Sequence, residues 1–273
     1  MSRRKQKRSM GCMGCNKWND NNESLTLKKW EELLEELSDL GCTEIFLKGG
    51  DLTLSWDKTM PIIDYAKGMF EQIYITLHKQ SLSESIMNDL EHKANLIIQC
   101  ENLKEISSSA VQAYAYLLTV TPDDWRNISS VISNIIDKNI MIDFVISDVD
   151  YLANDIQMMP RDISLNIYKF TNSMKYHPCL GRTITITHSG DVIPCPLMRK
   201  HKLGNIRDKE LYTIFENAEG DIYKFWTLNL DKIEKCKSCE FRYACNDCRA
   251  LEESLTGRLT GKTICSYDPQ NGE

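Results

Sequence analysis

The sequence predicts an α/β protein: a parallel sheet covered by helices, followed by a small cysteine-rich domain. Helix-then-strand units recur through the first half of the 273-residue chain, and this alternation is typical of a parallel sheet. The second half loses the alternation and contains seven of the eleven cysteines. The length suffices for one large domain or two smaller ones.

Charge and composition exclude several classes of partner. The formal charge of -6 and the pI near 5.5 argue against a general nucleic-acid binder, although five of the first eight residues are basic. We expect residues 1–9 to form a disordered, solvated arm. No apolar stretch resembles a signal peptide or reaches the length needed to span a bilayer, so we expect a cytoplasmic protein without nucleic-acid or membrane partners. Cysteines in a reducing compartment indicate metal or redox chemistry rather than disulfides.

The first helix and strand of the sheet are well marked. Thr26 is a suitable N-cap, leucines recur at helical spacing from Leu27, and Gly41 is a suitable C-terminal stop. The strand Glu44–Leu47 follows. Further strands are predicted at 72–77, 95–100, 114–120 and 140–146, with helices at 58–67, 82–92 and 123–136.

Two features of the first half involve glycine and cysteine. Gly49 and Gly50, followed by Asp51, end the first strand, where glycines permit a tight turn or the close approach of a ligand. Cys42 and Cys100 lie at the ends of predicted elements, and we interpret both as buried free thiols, since cysteine behaves as a small core residue.

The start of the second half predicts a β-hairpin. Residues 183–187 and 192–195 are strand-like, and Ser189-Gly190 between them is a turn signal. The hairpin would bring Cys179 and Cys195 to the same open end. Short helices are predicted at 208–217 and 249–256.

Four thiols within thirteen residues predict a metal centre. Cys236, Cys239, Cys245 and Cys248 form two CxxC pairs, and a two-residue spacer lets both sulfurs of a pair face one ion or cluster. Zinc is an alternative to iron and sulfur, but most zinc ribbons separate the pairs by more than five residues. Because residues 226–250 show little apolar periodicity, we expect this segment to fold only when its thiolates bind metal.

The N-terminal half resembles the opening of a radical SAM domain, a partial (β/α) barrel. The resemblance rests on Cys12 and Cys15 and on the strand that ends in Gly49-Gly50-Asp51. It implies a 4Fe-4S cluster at a CxxxCxxC loop, and contact of Gly49, Gly50 and Asp51 with S-adenosylmethionine.

The chain departs from this pattern at the first cluster position. Arg8 stands where the first cysteine is expected, Asp51 replaces a glutamate, and the first barrel strand is not evident. A SAM-cleaving cluster needs three thiolates, and an arginine has no lone pair to replace one. We therefore interpret residues 10–160 as a radical SAM-like domain that has lost its catalytic cluster. Cys12 and Cys15 are then a relic CxxC, or metal ligands if a further ligand replaces the missing cysteine.

The C-terminal part, residues 161–273, resembles the SPASM domain, which binds auxiliary 4Fe-4S clusters in enzymes that modify ribosomally made peptides. Seven cysteines match the family pattern in order. The resemblance implies one ligand set for a second auxiliary cluster: Cys236, Cys239, Cys245 and Cys265. It implies another for a first auxiliary cluster: Cys179, Cys195 and Cys248. His177 is a candidate fourth ligand of the first cluster, whose fourth iron is otherwise open.

These resemblances predict an iron-sulfur SPASM protein that holds two 4Fe-4S clusters, binds a precursor peptide and assists a separate maturation enzyme. One alternative is an active radical SAM enzyme that cross-links or epimerises the peptide with S-adenosylmethionine. A zinc-stabilised interaction module is another. The incomplete CxxxCxxC motif leaves open whether the chain is itself an enzyme.

Overall fold

The computed structural model describes residues 23–120, 127–128, 138–144, 165–217, 219–245, 247–263, 265 and 267–270. The chain divides into two compact units. Described residues 24–144 belong to the first unit, and residue 23 with residues 165–270 belongs to the second. The predicted domain boundary at residue 160 and the predicted basic arm lie outside the described residues and stay predictions. Within the described part of the chain, no helix is long and apolar enough to cross a membrane.

The first unit alternates helices and strands as the sequence predicts. Its helices are α1 (Leu27–Asp39), α2 (Trp56–Ala66), α3 (Glu84–Leu90) and α4 (Leu103–Ser107). Its strands are β1 (Glu44–Leu47), β2 (Gln72–His78), β3 (Asn95–Cys100), β4 (Ala115–Val120) and β5 (Ile140–Phe144). The predicted helix at 123–136 falls almost entirely outside the described residues.

Helix α1 begins and ends where its sequence signals predict. The Thr26 side chain accepts a hydrogen bond from the Lys29 amide, which satisfies a backbone donor at the helix start. Leu33 and Leu34 bury one face of the helix. After the last turn Gly41 adopts a left-handed φ of +78°, a conformation that glycine takes without strain.

The five strands form one parallel sheet in the order β1-β2-β3-β4-β5. One face packs its aliphatic side chains against the helices, with Ile75, Ile98 and Leu118 fully buried. Parallel neighbours require crossover connections, which these helices provide. The carboxyl ends of the strands therefore share one edge of the sheet, and the Gly49-Gly50-Asp51 turn follows β1 at that edge. This architecture confirms the predicted α/β fold class.

Cys100 is a buried free thiol, as predicted, whereas Cys42 is half-buried. The pKa of Cys100 is raised to about 11, mainly by burial and to a smaller extent by the charge of Glu105. The unfolded chain therefore releases this proton near pH 9, while the folded chain keeps it until about pH 11.

We expect the Cys100 contribution to stability to be complete below pH 9 and to be lost as the pH rises toward 11. Urea unfolding of the wild type and of Cys100→Ala at several pH values across this window measures it. The wild type should lose more stability than the variant over the window. Parallel pH profiles would show that Cys100 does not titrate in this way.

The second unit contains short elements. Its helices are α5 (Ile167–Lys175), α6 (Leu211–Asn217), α7 (Glu219–Trp226) and α8 (Arg249–Thr256). Its strands are β6 (Thr185–Ile186), β7 (Asp191–Ile193) and β8 (Gly204–Asn205), which form an antiparallel sheet in that order. Helix α8 has the predicted bounds, whereas α6 begins three residues later than predicted. The elements α5, α7 and β8 are not predicted.

The predicted hairpin is present, with shorter arms. Its turn contains Ser189 and Gly190, where Gly190 has a left-handed φ of +93° and its amide donates to the Thr187 carbonyl over 2.9 Å. The arms pair Thr185 with Ile193 and Ile186 with Val192. Cys179 and Cys195 therefore both lie beyond the paired residues rather than within strands.

The segment 226–250 has an apolar core that the sequence pattern does not reveal. Leu228, Leu230 and Ile233 are buried together with Cys236. These residues lie in turns and a short 3-10 helix, so they follow neither a strand nor an α-helix period. The segment thus lacks apolar periodicity but still has a small apolar core, and the dependence of its folding on metal stays a prediction.

Candidate metal centre

Three of the clustered cysteines lie on consecutive tight turns. The Cys236 amide donates to the Ile233 carbonyl over 2.8 Å, and the Cys239 amide donates to the Cys236 carbonyl over 2.9 Å. The Cys245 amide donates to the Phe241 carbonyl over 2.8 Å. Such turns reverse the chain within a few residues, so sulfurs three and six positions apart can face the same side.

The thiols predicted to bind the second cluster are electrostatic neighbours. Burial is the main cause that raises the pKa of Cys245, and the nearby charges of Cys265 and Cys239 raise it further. The pKa of Cys236 is raised to about 11, mainly by burial, and the charge of Cys245 is one of the smaller causes. The pKa of Cys239 is raised by burial and, to a smaller extent, by Glu240 and Cys265. These couplings link Cys236 to Cys245, and link Cys239 and Cys245 to Cys265. That the four thiols hold one cluster stays a prediction.

The thiols predicted to bind the first cluster surround a different apolar cluster. Cys195 and Cys248 both pack against the buried residues Leu180, Met198, Phe225 and Ala250. Cys179 directly precedes Leu180 in the chain, although it is itself exposed. This group of apolar residues brings distant parts of the chain to one place.

His177 is fully buried beside these residues, and both of its ring nitrogens have protein partners. Its Nδ1 accepts hydrogen bonds from the amides of Cys179 and Leu180, over 3.0 and 2.9 Å. Its Nε2 lies 3.0 Å from a carboxylate oxygen of Asp247. A metal ligand needs a nitrogen with a free lone pair. The expectation that His177 is a fourth cluster ligand is therefore wrong.

Asp247 is the centre of a buried charge network. Its carboxylate accepts hydrogen bonds from His177, from the Arg249 guanidinium and, over 2.5 Å, from the Lys262 ammonium group. Burial disfavours the charged form, but these hydrogen bonds and the two positive charges outweigh it and hold the pKa of Asp247 well below its usual range. The carboxylate stays ionised at neutral pH.

Arg249 and Lys262 connect this network to the rest of the unit. Arg249 is 1% exposed and donates to the carbonyls of Leu259 and Gly261 over 2.8 and 2.6 Å. The charge of Lys262 lowers the pKa of Cys236 and Cys245, against the larger effect of burial. The positive charge of Lys262 favours the deprotonated thiolate form of these two cysteines, which belong to the thiol set predicted to bind the second cluster.

Sequence reasoning missed this network. Asp247 and Arg249 flank Cys248 in the sequence, but charged residues beside a cysteine are common and give no local signal. Their partners His177 and Lys262 lie far away along the chain, so only the fold pairs them. A buried ion pair has no periodicity that a sequence pattern could reveal.

No three His, Cys, Asp or Glu side chains among the described residues are close enough to hold one metal ion. A zinc site requires four ligands around one ion, whereas an iron-sulfur cluster spreads its four thiolates over four irons. Both the iron-sulfur and the zinc assignment of these thiols stay predictions.

The glycine turn after β1 is open on its Cβ side. Gly49 has a φ of +146°, and no described atom lies within 4 Å of the position that a Cβ would take at Gly49 or Gly50. The Asp51 carboxylate accepts hydrogen bonds from the Thr53 amide over 3.2 Å and from the Ser81 hydroxyl over 2.7 Å. The turn therefore has room for a ligand, while the carboxylate already holds two chain segments together.

Cys12, Cys15 and Arg8 lie outside the described residues. The predicted loss of the catalytic cluster therefore stays a prediction.

Together, the fold and the thiols define a cysteine-rich unit that follows a parallel α/β sheet in the sequence. Residues 179–240 match the family model of SPASM, an iron-sulfur cluster-binding domain. No curated protein matches the chain.

Two crystal structures of SuiB from Streptococcus suis resemble most of the chain. The structure bound to S-adenosylmethionine has a TM-score of 0.57 and 14% identity, covering 89% of this chain and 71% of SuiB. A second SuiB structure has a TM-score of 0.58 and 14% identity, covering 90% of this chain and 72% of SuiB. At this identity the likeness shows the fold alone. With the SPASM match, it confirms the resemblance to the radical SAM/SPASM family.

Proposed function

We propose that this chain is an iron-sulfur protein of peptide maturation, which holds two 4Fe-4S clusters and binds a ribosomally made precursor peptide. One observation carries the proposal: residues 179–240 match SPASM, and cysteines of the second unit pack in two separate apolar clusters, Cys195 with Cys248 and Cys236 with Cys245. In this proposal Cys236, Cys239, Cys245 and Cys265 hold one cluster. Cys179, Cys195 and Cys248 hold the other.

The two thiol groups suit different tasks. Four thiolates complete the coordination of one cluster, whereas three leave one iron without a cysteine ligand. When bound, such clusters supply one-electron transfer and, at an iron without a protein ligand, a place for a thiolate of the peptide. The chain's own contribution is to fix the thiols, through the apolar clusters around Leu180 and Ile233.

The first unit offers a surface for the peptide. Strand β1 lies at one edge of the described sheet, and the Phe46 side chain on it is 51% exposed and stacked on Tyr74 at 4.4 Å. A strand edge binds an extended peptide through main-chain hydrogen bonds, with little demand on sequence. An exposed aromatic ring beside that edge would give apolar side chains of the peptide a contact.

The second candidate is an active radical SAM enzyme. The open turn at Gly49 and Gly50 supports it, as does the similarity to a protein whose structure contains S-adenosylmethionine. The Asp51 carboxylate weighs against it, because a bound cofactor amine would compete with Thr53 and Ser81 for its oxygens. In the favoured proposal a separate enzyme carries out the bond-forming step.

Peptide binding is tested with a displayed library of random short peptides, selected on the full-length protein reconstituted with iron and sulfide. We expect saturable binders whose affinity falls in Phe46→Lys, because a charge beside an edge strand opposes strand addition. Tyr168→Lys is the matched control, since Tyr168 is an 82% exposed aromatic residue of the second unit. Equal losses in both variants, or an absence of saturable binders, would count against the peptide role.

A further inference from the structure

We propose that His177 is a positioning residue that sets Cys179 and, through Asp247, Cys248 in place to bind the same cluster. The inference rests on the proposed function, because it takes these two cysteines as ligands of one iron-sulfur cluster. His177 is fully buried and is not itself one of the proposed cluster ligands.

The hydrogen bonds around His177 determine which nitrogen carries the proton. Nδ1 accepts from two backbone amides, those of Cys179 and Leu180, so it cannot itself hold a hydrogen. A neutral imidazole then has its proton on Nε2, which donates to Asp247 over 3.0 Å. The ring is thus a directional link from a fixed carboxylate to the backbone of a cysteine.

The His177 end of this link is rigid. The His177 amide donates to the Trp226 carbonyl over 2.7 Å, and the Gly181 amide donates to the His177 carbonyl over 2.9 Å. A Cβ at residue 181 would lie 2.6 Å from that carbonyl oxygen, so the turn closes only around a glycine. The turn that carries Cys179 therefore has little freedom once the ring is anchored.

The Asp247 end is equally constrained. Asp247 directly precedes Cys248 and follows Cys245 by two residues. The Arg249 guanidinium and the Lys262 ammonium group hold the carboxylate from its other sides, and the side chains of Asp247 and Arg249 are fully buried. A shift of His177 relative to Asp247 would consequently change the separation between Cys179 and Cys248.

This arrangement has the features of an outer-shell interaction at a metal site. Groups that orient ligands without touching the metal typically contribute about 10-fold to 100-fold in metal affinity. His177 orients Cys179 through the backbone, while Asp247 lies next to Cys248 in the chain. We therefore expect the His177–Asp247 pair to affect metal binding by the thiols of the first cluster more than metal binding by the thiols of the second cluster.

Two substitutions separate the parts of the link. His177→Phe removes both the acceptor for the amides and the donor to Asp247. His177→Asn keeps an acceptor close to the position of Nδ1 but does not reach Asp247. His201→Asn is the matched control, because His201 in the same unit also pairs with a carboxylate, that of Glu253 at 2.9 Å.

The readouts are iron and sulfide per chain after anaerobic reconstitution, and the electron paramagnetic resonance spectrum after reduction. We expect His177→Phe to lose about four irons and one of two cluster signals. We expect His177→Asn to keep its iron but to shift that same signal, and His201→Asn to match the wild type. A general loss of folding would not alter one signal selectively, so a failure of His177→Phe to fold leaves His177→Asn decisive.

Two different outcomes would overturn the positioning role and the proposed function separately. Wild-type iron and two unchanged signals in His177→Asn, and in His177→Phe where it folds, would overturn the positioning role and leave the proposed function intact. A wild-type protein that binds no iron under the same conditions would overturn the proposed function itself.

Discussion

Replacing Cys239 with alanine is expected to remove about four irons per chain and to reduce solubility. Cys239 follows Cys236 by a single turn, and its thiol is an electrostatic neighbour of Cys265. Loss of one thiolate leaves three for a cluster that uses four, and the surrounding turns have only a small apolar core around Ile233. Iron analysis and the soluble fraction after expression measure both effects.

The matched control for this prediction is Cys42→Ala. Cys42 is a half-buried free thiol of the first unit, and it belongs to neither thiol set. We expect this variant to keep its iron and its solubility. If Cys239→Ala folds with the full wild-type iron content, the assignment of the second thiol set is wrong.

Replacing Asp247 with alanine is expected to destabilise the second unit by about 3–5 kcal/mol. The change leaves the buried Arg249 guanidinium and the nearly buried Lys262 ammonium group without the carboxylate that compensates them, and it removes the partner of His177. An uncompensated buried charge costs far more than the net contribution of the pair. Urea unfolding of the reconstituted protein, followed by tryptophan fluorescence, measures the change in midpoint.

Asp231→Ala provides the comparison for a surface pair. Asp231 pairs with Arg242 over 2.9 Å, and their side chains are 40% and 29% exposed. Solvent screens such a pair, so we expect a loss of about 1 kcal/mol or less. Equal effects of Asp231→Ala and Asp247→Ala would mean that the buried network does not stabilise the unit.

The sequence was sufficient for the sheet and for the hairpin. The helix that starts after Thr26 and the strands that follow it have strong periodicity, since each buries one continuous apolar face. The hairpin has a turn signal at Ser189 and Gly190 that depends only on adjacent residues. Local patterns of this kind survive in any tertiary context.

The surroundings of the thiols were not predictable in the same way. The buried residues Leu228, Leu230 and Ile233 lie in turns, where apolar spacing follows no fixed period. His177 was a candidate ligand because it lies just before Cys179, where the SPASM resemblance leaves the first cluster one ligand short. Its amide and carboxylate partners, which exclude that role, come together only in the folded chain.

The most direct test of two clusters on a non-catalytic scaffold is the iron and sulfide content per chain, with the visible spectrum. The protein is purified without oxygen and then incubated with reductant and S-adenosylmethionine. We predict about eight irons, a brown protein and no cleavage of S-adenosylmethionine. About twelve irons with cleavage would identify an active radical SAM enzyme instead, and a colourless protein that contains zinc would contradict both iron interpretations.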